Sequence, residues 1–165
     1  MGVTLQKEAK ALEQEFFEKE AAACTEMLYR VAYTILRNDA DCQDAVQDAL
    51  LKAWAGRNRL RNEQYFRTWL VRILINASHD MLRKRKQTAS PNLLPEPLEA
   101  FPDLSLSEAL GRLPEKLRVP LMLCYSENMT HQEISRVLHL PVTTVQSRLR
   151  QGKRLLRKEL KEDEP

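Results

Sequence analysis

The sequence predicts an all-α protein of two small helical domains, the second containing a helix-turn-helix, joined by an acidic, proline-containing linker. Three observations carry that expectation. Apolar residues recur at spacings of three and four through most of the 165 residues. Residues 88–104 break the pattern, with Pro91, Pro95, Pro97 and Pro102, no basic side chain and no apolar period. Near the C-terminal end, a capping box, a tight break and a basic helical stretch follow one another in helix-turn-helix order.

The elements follow in turn. Over residues 27–36, Leu28, Val31, Ala32 and Ile35 form one apolar stripe. After Asn38 and Asp39 a second helix spans 40–55, with Cys42, Val46, Ala49, Leu50 and Ala53 inward, Asp39 or Asp41 as its cap and Gly56 as its end. Residues 57–64 are polar and basic and read as a loop. A third helix, 65–86, turns Phe66, Trp69, Leu70, Ile73, Leu74, Ala77 and Met81 to one side. Three helices with short connections share one core, giving a first domain over 1–87 and, past the linker 88–104, a second over 105–165.

Helical pattern resumes at 104–113 and restarts at Pro114. Leu117, Leu121 and Cys124 or Tyr125 then share a face, and Pro120 lies near the tolerant first turn. Thr130 and Glu133 form the capping box of a short helix with Ile134, Val137 and Leu138 inward. His139, Leu140 and Pro141 interrupt it. Thr143 is a cap candidate for the final helix, whose stripe is Val145, Leu149, Leu155 or Leu156, and Leu160.

Charge is distributed unevenly. Lys plus Arg is 26 and Asp plus Glu is 23, a net +3. Residues 1–55 carry 6 basic and 10 acidic side chains, 56–90 carry 9 and 2, 91–109 carry 0 and 4, and 110–165 carry 11 and 7. Two basic blocks around an acidic connector suit a polyanion touched at two places.

Several classes find little support. The N-terminal stretch has charges throughout, unlike a signal peptide, and the apolar runs are too short for membrane insertion. Cys24, Cys42 and Cys124 are isolated and read as reduced, mostly buried thiols of a cytoplasmic protein. His79, His131 and His139 have no metal-ligand spacing, so neither metal nor cofactor is expected. The carboxylate pairs Asp39/Asp41 and Asp44/Asp48 read as a solvated face rather than acid–base machinery. With four glycines, none in a phosphate loop, the chain reads as a non-enzyme.

Nucleic-acid chemistry is better represented. The last helix carries Arg148, Arg150, Lys153, Arg154, Arg157 and Lys158 around its apolar stripe. Thr144, Gln146, Ser147 and Arg148 are placed to meet base edges of a major groove, while Arg150, Lys153 and Arg154 suit phosphates. The first basic block interleaves Arg57, Arg59 and Arg61 with Asn58, Asn62, Tyr65 and Phe66, followed by Arg67 and Arg72. Cations beside exposed rings fit unstacked bases, although Phe66 and Trp69 at helical spacing also fit a core. The acidic face Asp41, Asp44, Gln47 and Asp48 is either a solvated surface or a dock for a basic protein.

Three stretches together resemble the bacterial RNA polymerase sigma factors of the extracytoplasmic-function type. They are LYRVAYTILRNDADCQDAVQDALLKAW, RNEQYFRTWLVRILINASHDMLRKRK and LGRLPEKLRVPLMLCYSENMTHQEISRVLHLPVTTVQSRLRQGKRLLR. The resemblance implies sigma domains 2 and 4, binding to core RNA polymerase, promoter selection and initiation with DNA melting. It places Asp44, Gln47, Asp48, Lys52 and Trp54 on the clamp coiled coil of the β′ subunit. It places Arg59, Arg61, Asn62, Tyr65, Phe66, Arg67 and Arg72 on the −10 element, part duplex and part melted. It places Thr143, Thr144, Gln146, Ser147, Arg148, Arg150, Lys153 and Arg154 on the −35 element. It further implies docking of domain 4 on the β flap, a linker bearing Glu96, Glu99 and Asp103 that threads the polymerase channel, an anti-sigma factor as inhibitor, and a part in stress response. Thr143, Gln146, His139, Gly152 and Ser135 depart from residues common in the family, and Gly152 costs helix stability of about 0.5–1 kcal/mol relative to alanine. Two other classes stay open on the residues alone: a helix-turn-helix repressor, and an interaction protein that binds polymerase without promoter DNA.

Overall fold

The computed structural model describes residues 1–88 and 103–162. The linker residues 89–102, with Glu96 and Glu99, lie outside the described residues. Seven α-helices are seen among those described: α1 Gly2–Leu36, α2 Asp39–Ala55, α3 Phe66–Gln87, α4 Leu104–Arg112, α5 Glu115–Leu121, α6 His131–Leu138 and α7 Val142–Glu162. Helix α1 begins far ahead of the stripe at 27–36, because the charged residues before it form its exposed N-terminal turns.

Helices α1, α2 and α3 form the first bundle around Leu28, Val31, Leu70 and Leu74. The buried face of α2 is Cys42, Ala45, Val46, Ala49 and Ala53, small side chains that let α1 and α3 approach its backbone. Neither acid proposed as its cap serves. Asn38 does, its side chain accepting from the Asp41 amide at 3.0 Å, which leaves Asp39 and Asp41 in the first turn at the positive end of the helix dipole. In the second bundle α5, α6 and α7 enclose Leu117, Leu123, Ile134, Val137, Val145 and Leu149. Asp103, read as part of the acidic linker, caps α4 by accepting from the Leu106 amide at 3.3 Å.

Pro120 is buried inside α5, where it supplies no N–H to the preceding turn. Two residues later the chain widens into a π-turn, Met122–Ser126. This places Tyr125 outward and Glu127 inward, and Asn128 then turns back with a φ of 54°.

The two bundles also pack on each other, α1 against α5 and α3 against α6, which the helical periodicities do not disclose. Apolar side chains of both bundles run into one core, and polar contacts add to it. Arg118, 7% exposed, donates from Nε to the Thr34 carbonyl at 2.9 Å and from Nη1 to the Leu113 carbonyl at 2.8 Å. Thr34 lies in the last turn of α1, whose final carbonyls have no partner within the helix, so a cation there satisfies an acceptor and meets the negative end of the dipole. Burial, and then the nearby Arg37 cation, push the Arg118 pKa down, with Glu115 opposing. Arg37 itself ends α1 in the left-handed conformation, φ 49°, and donates to the Gly111 carbonyl at 3.1 Å.

A third contact across the bundles is His79 Nε2 to Glu115 Oε1, 2.5 Å apart. The hydrogen bond with His79, supported by the charges of His79, Arg118 and Lys86, holds the Glu115 carboxyl below its usual range despite the opposing effect of burial. A lowered carboxyl pKa contributes stability above the ordinary carboxylate value and loses it as pH falls through the lowered one. Acidification through the carboxylate range is therefore expected to loosen the docking of the bundles. Interbundle energy transfer between one dye on each bundle should show an acid limb that Glu115→Gln flattens.

Candidate nucleic-acid interface

The basic loop after α2 is folded rather than irregular. The Gly56 amide closes α2 on the Lys52 and Trp54 carbonyls. Two 3₁₀ turns follow, Arg57–Arg59 and Glu63–Tyr65. Between them Asn62 accepts from the Gln64 amide at 3.0 Å, making it a cap within the loop. Arg57 is occupied structurally: its guanidinium lies 4.0 Å from the Trp54 ring centroid, and Nη1 donates to the Trp54 carbonyl at 2.9 Å. Its buried Nε faces Glu13 Oε1 at 3.2 Å as an ion pair, without hydrogen-bond geometry. Arg59 and Arg61 remain exposed.

The aromatic residues divide. Tyr65 is 47% exposed, whereas Phe66 is 2% exposed and packs edge-on against Phe16 and Phe17 at 5.8 and 5.6 Å. Phe66, named as a −10 candidate, therefore has no face to offer a base; it is the floor under the loop. Half-buried Trp69 touches Phe66 at 5.9 Å. It also lines a groove of about 840 Å³ with Lys52, Asn58, Arg59, Arg72 and Asn76. A smaller recess of about 340 Å³ is walled by Tyr65, Thr68, Trp69, Arg72 and Arg136. Arg136 comes from α6, its guanidinium 5.4 Å from the Tyr65 ring centroid.

The helix-turn-helix closes as its residues require. Thr130 accepts from the Glu133 amide at 3.1 Å while the Glu133 side chain accepts from the Thr130 amide at 2.8 Å. His139 ends α6 with φ 55°, a left-handed position where glycine is less costly. Ser135, one of the departures from the family, stitches the turn by donating from Oγ to the Leu140 carbonyl at 2.5 Å. Helix α7 begins at Val142, with the Val145 amide bonded to the Pro141 carbonyl at 3.1 Å. Thr143 is thus inside the first turn rather than its cap. Thr143, Gln146, Ser147, Arg150, Lys153 and Arg154 are exposed, and Thr144 and Arg148 half-exposed. Lys153 Nζ rests 4.8 Å from the Tyr125 ring centroid, beside a groove of about 480 Å³. Val145, Leu149 and Gly152 face inward.

Gly152 has a packing reason. A Cβ there would lie 2.9 Å from Leu121 Cδ1 and 3.2 Å from Leu121 Cγ, and Leu121 is itself buried. Helix propensity alone favours alanine at this position. The expected result of Gly152→Ala is nevertheless a loss of about 1 kcal/mol, overpacking exceeding the propensity gain, measurable by thermal melting.

On α2, Asp44 and Gln47 are exposed, and Asp48 forms an i,i+4 pair with Lys52 at 2.8 Å. Trp54 stands apart from that face, edge-on to Phe17 at 5.1 Å under Arg57. Leu51 sits between Asp48 and Lys52 at 68% exposure; an apolar residue off the inner stripe of α2 is the signal that could have added it to the candidates. Among the described residues no three His, Cys, Asp or Glu gather as a metal site, and no helix is long and apolar enough to cross a membrane.

Comparison with known proteins bears on this arrangement. The sigma-70 region 2 model matches residues 22–88 and the sigma-70 region 4 model matches residues 103–156. The chain is 27% identical over 177 residues to the ECF RNA polymerase sigma factor SigW of Bacillus subtilis, covering 94% of this chain and 95% of that protein. It is 30% identical over 142 residues to the RNA polymerase sigma factor SigV of the same organism, covering 82% of this chain and 86% of that one. This chain belongs to the sigma-70 family, in its extracytoplasmic-function group.

The fold of this sigma factor is that of two solved structures. One is the sigma factor RpoE of Bartonella quintana in complex with the anti-sigma factor NepR, with a TM-score of 0.77 at 22% identity over 90% of this chain and 98% of that one. The other is CnrH in complex with the cytosolic domain of CnrY, with a TM-score of 0.72 at 25% identity over 92% and 91%. Regions 2 and 4 of the sigma factor fall on the α1–α3 and α4–α7 bundles respectively. Phe16 and Phe17, which support the loop from below, precede the region 2 match.

Proposed function

We propose that this sigma factor joins core RNA polymerase, directs it to promoters carrying −35 and −10 elements, and helps open the start region without enzymatic activity of its own. The observation that carries the reading is that one chain joins an exposed basic helix behind a capped turn to a folded basic loop bordering an aromatic groove. The first suits duplex recognition and the second suits splayed bases.

In this reading the domains are 1–87 and 105–165 with the linker between. Thr143, Thr144, Gln146, Ser147, Arg148, Arg150, Lys153 and Arg154 meet the −35 duplex. Arg59, Arg61, Tyr65, Arg67 and Arg72 meet the −10 strand, with Asn62 shaping the loop and Phe66 supporting it. Asp44, Gln47, Leu51, Asp48 and Lys52 dock on the β′ clamp coiled coil, and domain 4 docks on the β flap. The sigma factor acts in the cytoplasm, and an anti-sigma factor restrains it; the RpoE–NepR complex among its structural relatives supports that partner.

The test is transcription with purified sigma-free core polymerase on fragmented genomic DNA of the source organism, with RNA 5′ ends mapped. Discrete starts that share spaced upstream elements and need this protein are expected. Core binding without protein-dependent starts, beside an active control sigma factor, would instead favour the interaction-protein class.

A further inference from the structure

Glu127 is the side chain that the mechanism so far leaves unused. It follows the π-turn, and its side chain is 3% exposed. Its carboxylate is held from the other bundle: Arg30 Nε donates to Oε1 at 2.8 Å and Arg30 Nη2 to Oε2 at 3.1 Å. Arg67 Nη2 donates to the Glu127 main-chain carbonyl at 2.6 Å and lies 3.7 Å from Oε2. Arg67 Nε is steadied by Met27 Sδ at 3.0 Å. From its own bundle Glu127 receives only the Ser126 hydroxyl, at 3.4 Å, among the described contacts. Hydrogen bonding to Glu127 raises the Arg30 pKa, although burial opposes it.

Both arginines keep substantial exposure while Glu127 is seated, 38% for Arg30 and 46% for Arg67. They belong to α1 and to the first turn of α3, beside Tyr65. A carboxylate gripped by two N–H groups of one guanidinium has the charge sign and fork geometry of a gripped phosphate. The same docking lays Arg136 against the Tyr65 ring and makes it a wall of the recess shared by Trp69 and Arg72. The −35 residues of α7 are exposed or half-exposed in the docked arrangement.

We infer that Arg30 and Arg67 form a binding site for a backbone phosphate of the opened −10 strand, and that Glu127 occupies this site as an intramolecular stand-in while the second bundle is docked. The inference rests on the −10 reading of the loop and adds Arg30, which that reading does not contain. Strand and docked bundle then compete for the same two guanidinium groups, so single-stranded DNA undocks the bundle and a weaker Glu127 contact favours the strand. The reader helix stays available in either state.

The test measures binding of a fluorescein-labelled oligo-dT strand to the full chain by anisotropy. Glu127→Gln, which keeps the side chain's size, is expected to tighten binding about fivefold by raising the competent fraction. Added to Glu127→Gln, where the grip on the bundle is already broken, Arg30→Ala is expected to weaken binding about tenfold through loss of a charge-assisted contact, so that the double variant shows no net gain over wild type. A second arm uses the unaltered protein: saturating oligo-dT should speed hydrogen exchange of amides 122–129. Unchanged affinity in Glu127→Gln, no loss when Arg30→Ala is added to it, or unchanged exchange would each overturn the inference. Arg61→Ala, which touches neither arginine nor Glu127 among the described contacts, separates the two claims. If it weakens binding while Glu127→Gln and Arg30→Ala do nothing, only the shared site falls; if none of the three has any effect, the −10 reading falls with it.

Discussion

Replacing Phe66 with alanine is expected to destabilise the first bundle by about 3–5 kcal/mol, the range for a buried aromatic truncated in a packed core. Its ring is almost fully enclosed by Phe16, Phe17 and Trp69, so the cavity has little freedom to collapse. Tyr65→Ala, one residue earlier, should leave stability within about 0.5 kcal/mol, because nearly half of the residue already faces solvent. Its effect should appear in single-strand binding, where each stacked base contributes about 1–3 kcal/mol. Denaturant unfolding and oligonucleotide titration of both variants form the comparison. If Phe66→Ala unfolded like wild type but lost strand binding, the assignment of floor and reader would be reversed.

The second large effect is expected at Arg118. Its guanidinium caps the Thr34 carbonyl in one bundle and the Leu113 carbonyl in the other. Alanine there leaves two buried acceptors without donors, at a cost of about 2–4 kcal/mol in total. Part of that cost can be relieved only by letting water in between the bundles. Arg118→Ala should therefore lower the unfolding midpoint and separate two dyes placed one on each bundle. Arg118→Lys retains the charge but lacks the planar fork that spans both carbonyls, so it should recover only part of the loss. A midpoint and dye separation equal to wild type in Arg118→Ala would count against the cap.

The local fold was largely legible in the residues. Periodicity located α2, α3 and the inward faces of α6 and α7 because each buries one stripe against a neighbour. The Thr130–Glu133 box was readable because both its bonds are local. What escaped notice depends on partners distant in sequence. Arg118 looks like any surface arginine until the end of α1 is beside it, and Glu127 lies 97 residues from Arg30. Gly152 reads as a weak helix residue until Leu121 stands against it. At the candidate site, the basic–aromatic pattern named Arg59, Arg61, Tyr65 and Arg72 as candidates, and the structure leaves them exposed, with Arg59, Tyr65 and Arg72 lining the grooves. Pattern alone could not separate Tyr65 from Phe66, because adjacent residues entering a helix point in different directions and the packing of Phe16 and Phe17 decides which is enclosed.

Helix α1 carries a consequence for local opening. Its residues before Phe16 are mostly exposed, while Phe16 and Phe17 are partly buried and Ala21, Cys24 and Leu28 are buried. A solvated helix end has little beyond its own hydrogen bonds to hold it, so amides there exchange by fraying at small free energy. Unwinding can advance residue by residue only as far as Phe16. Past that point it must pull two rings out from beneath Phe66 and Trp54, and separation of Glu13 from Arg57 comes just before. The helix therefore has a loose segment and a firm one with a sharp boundary at Phe16, and the −10 loop stands on the firm side of it.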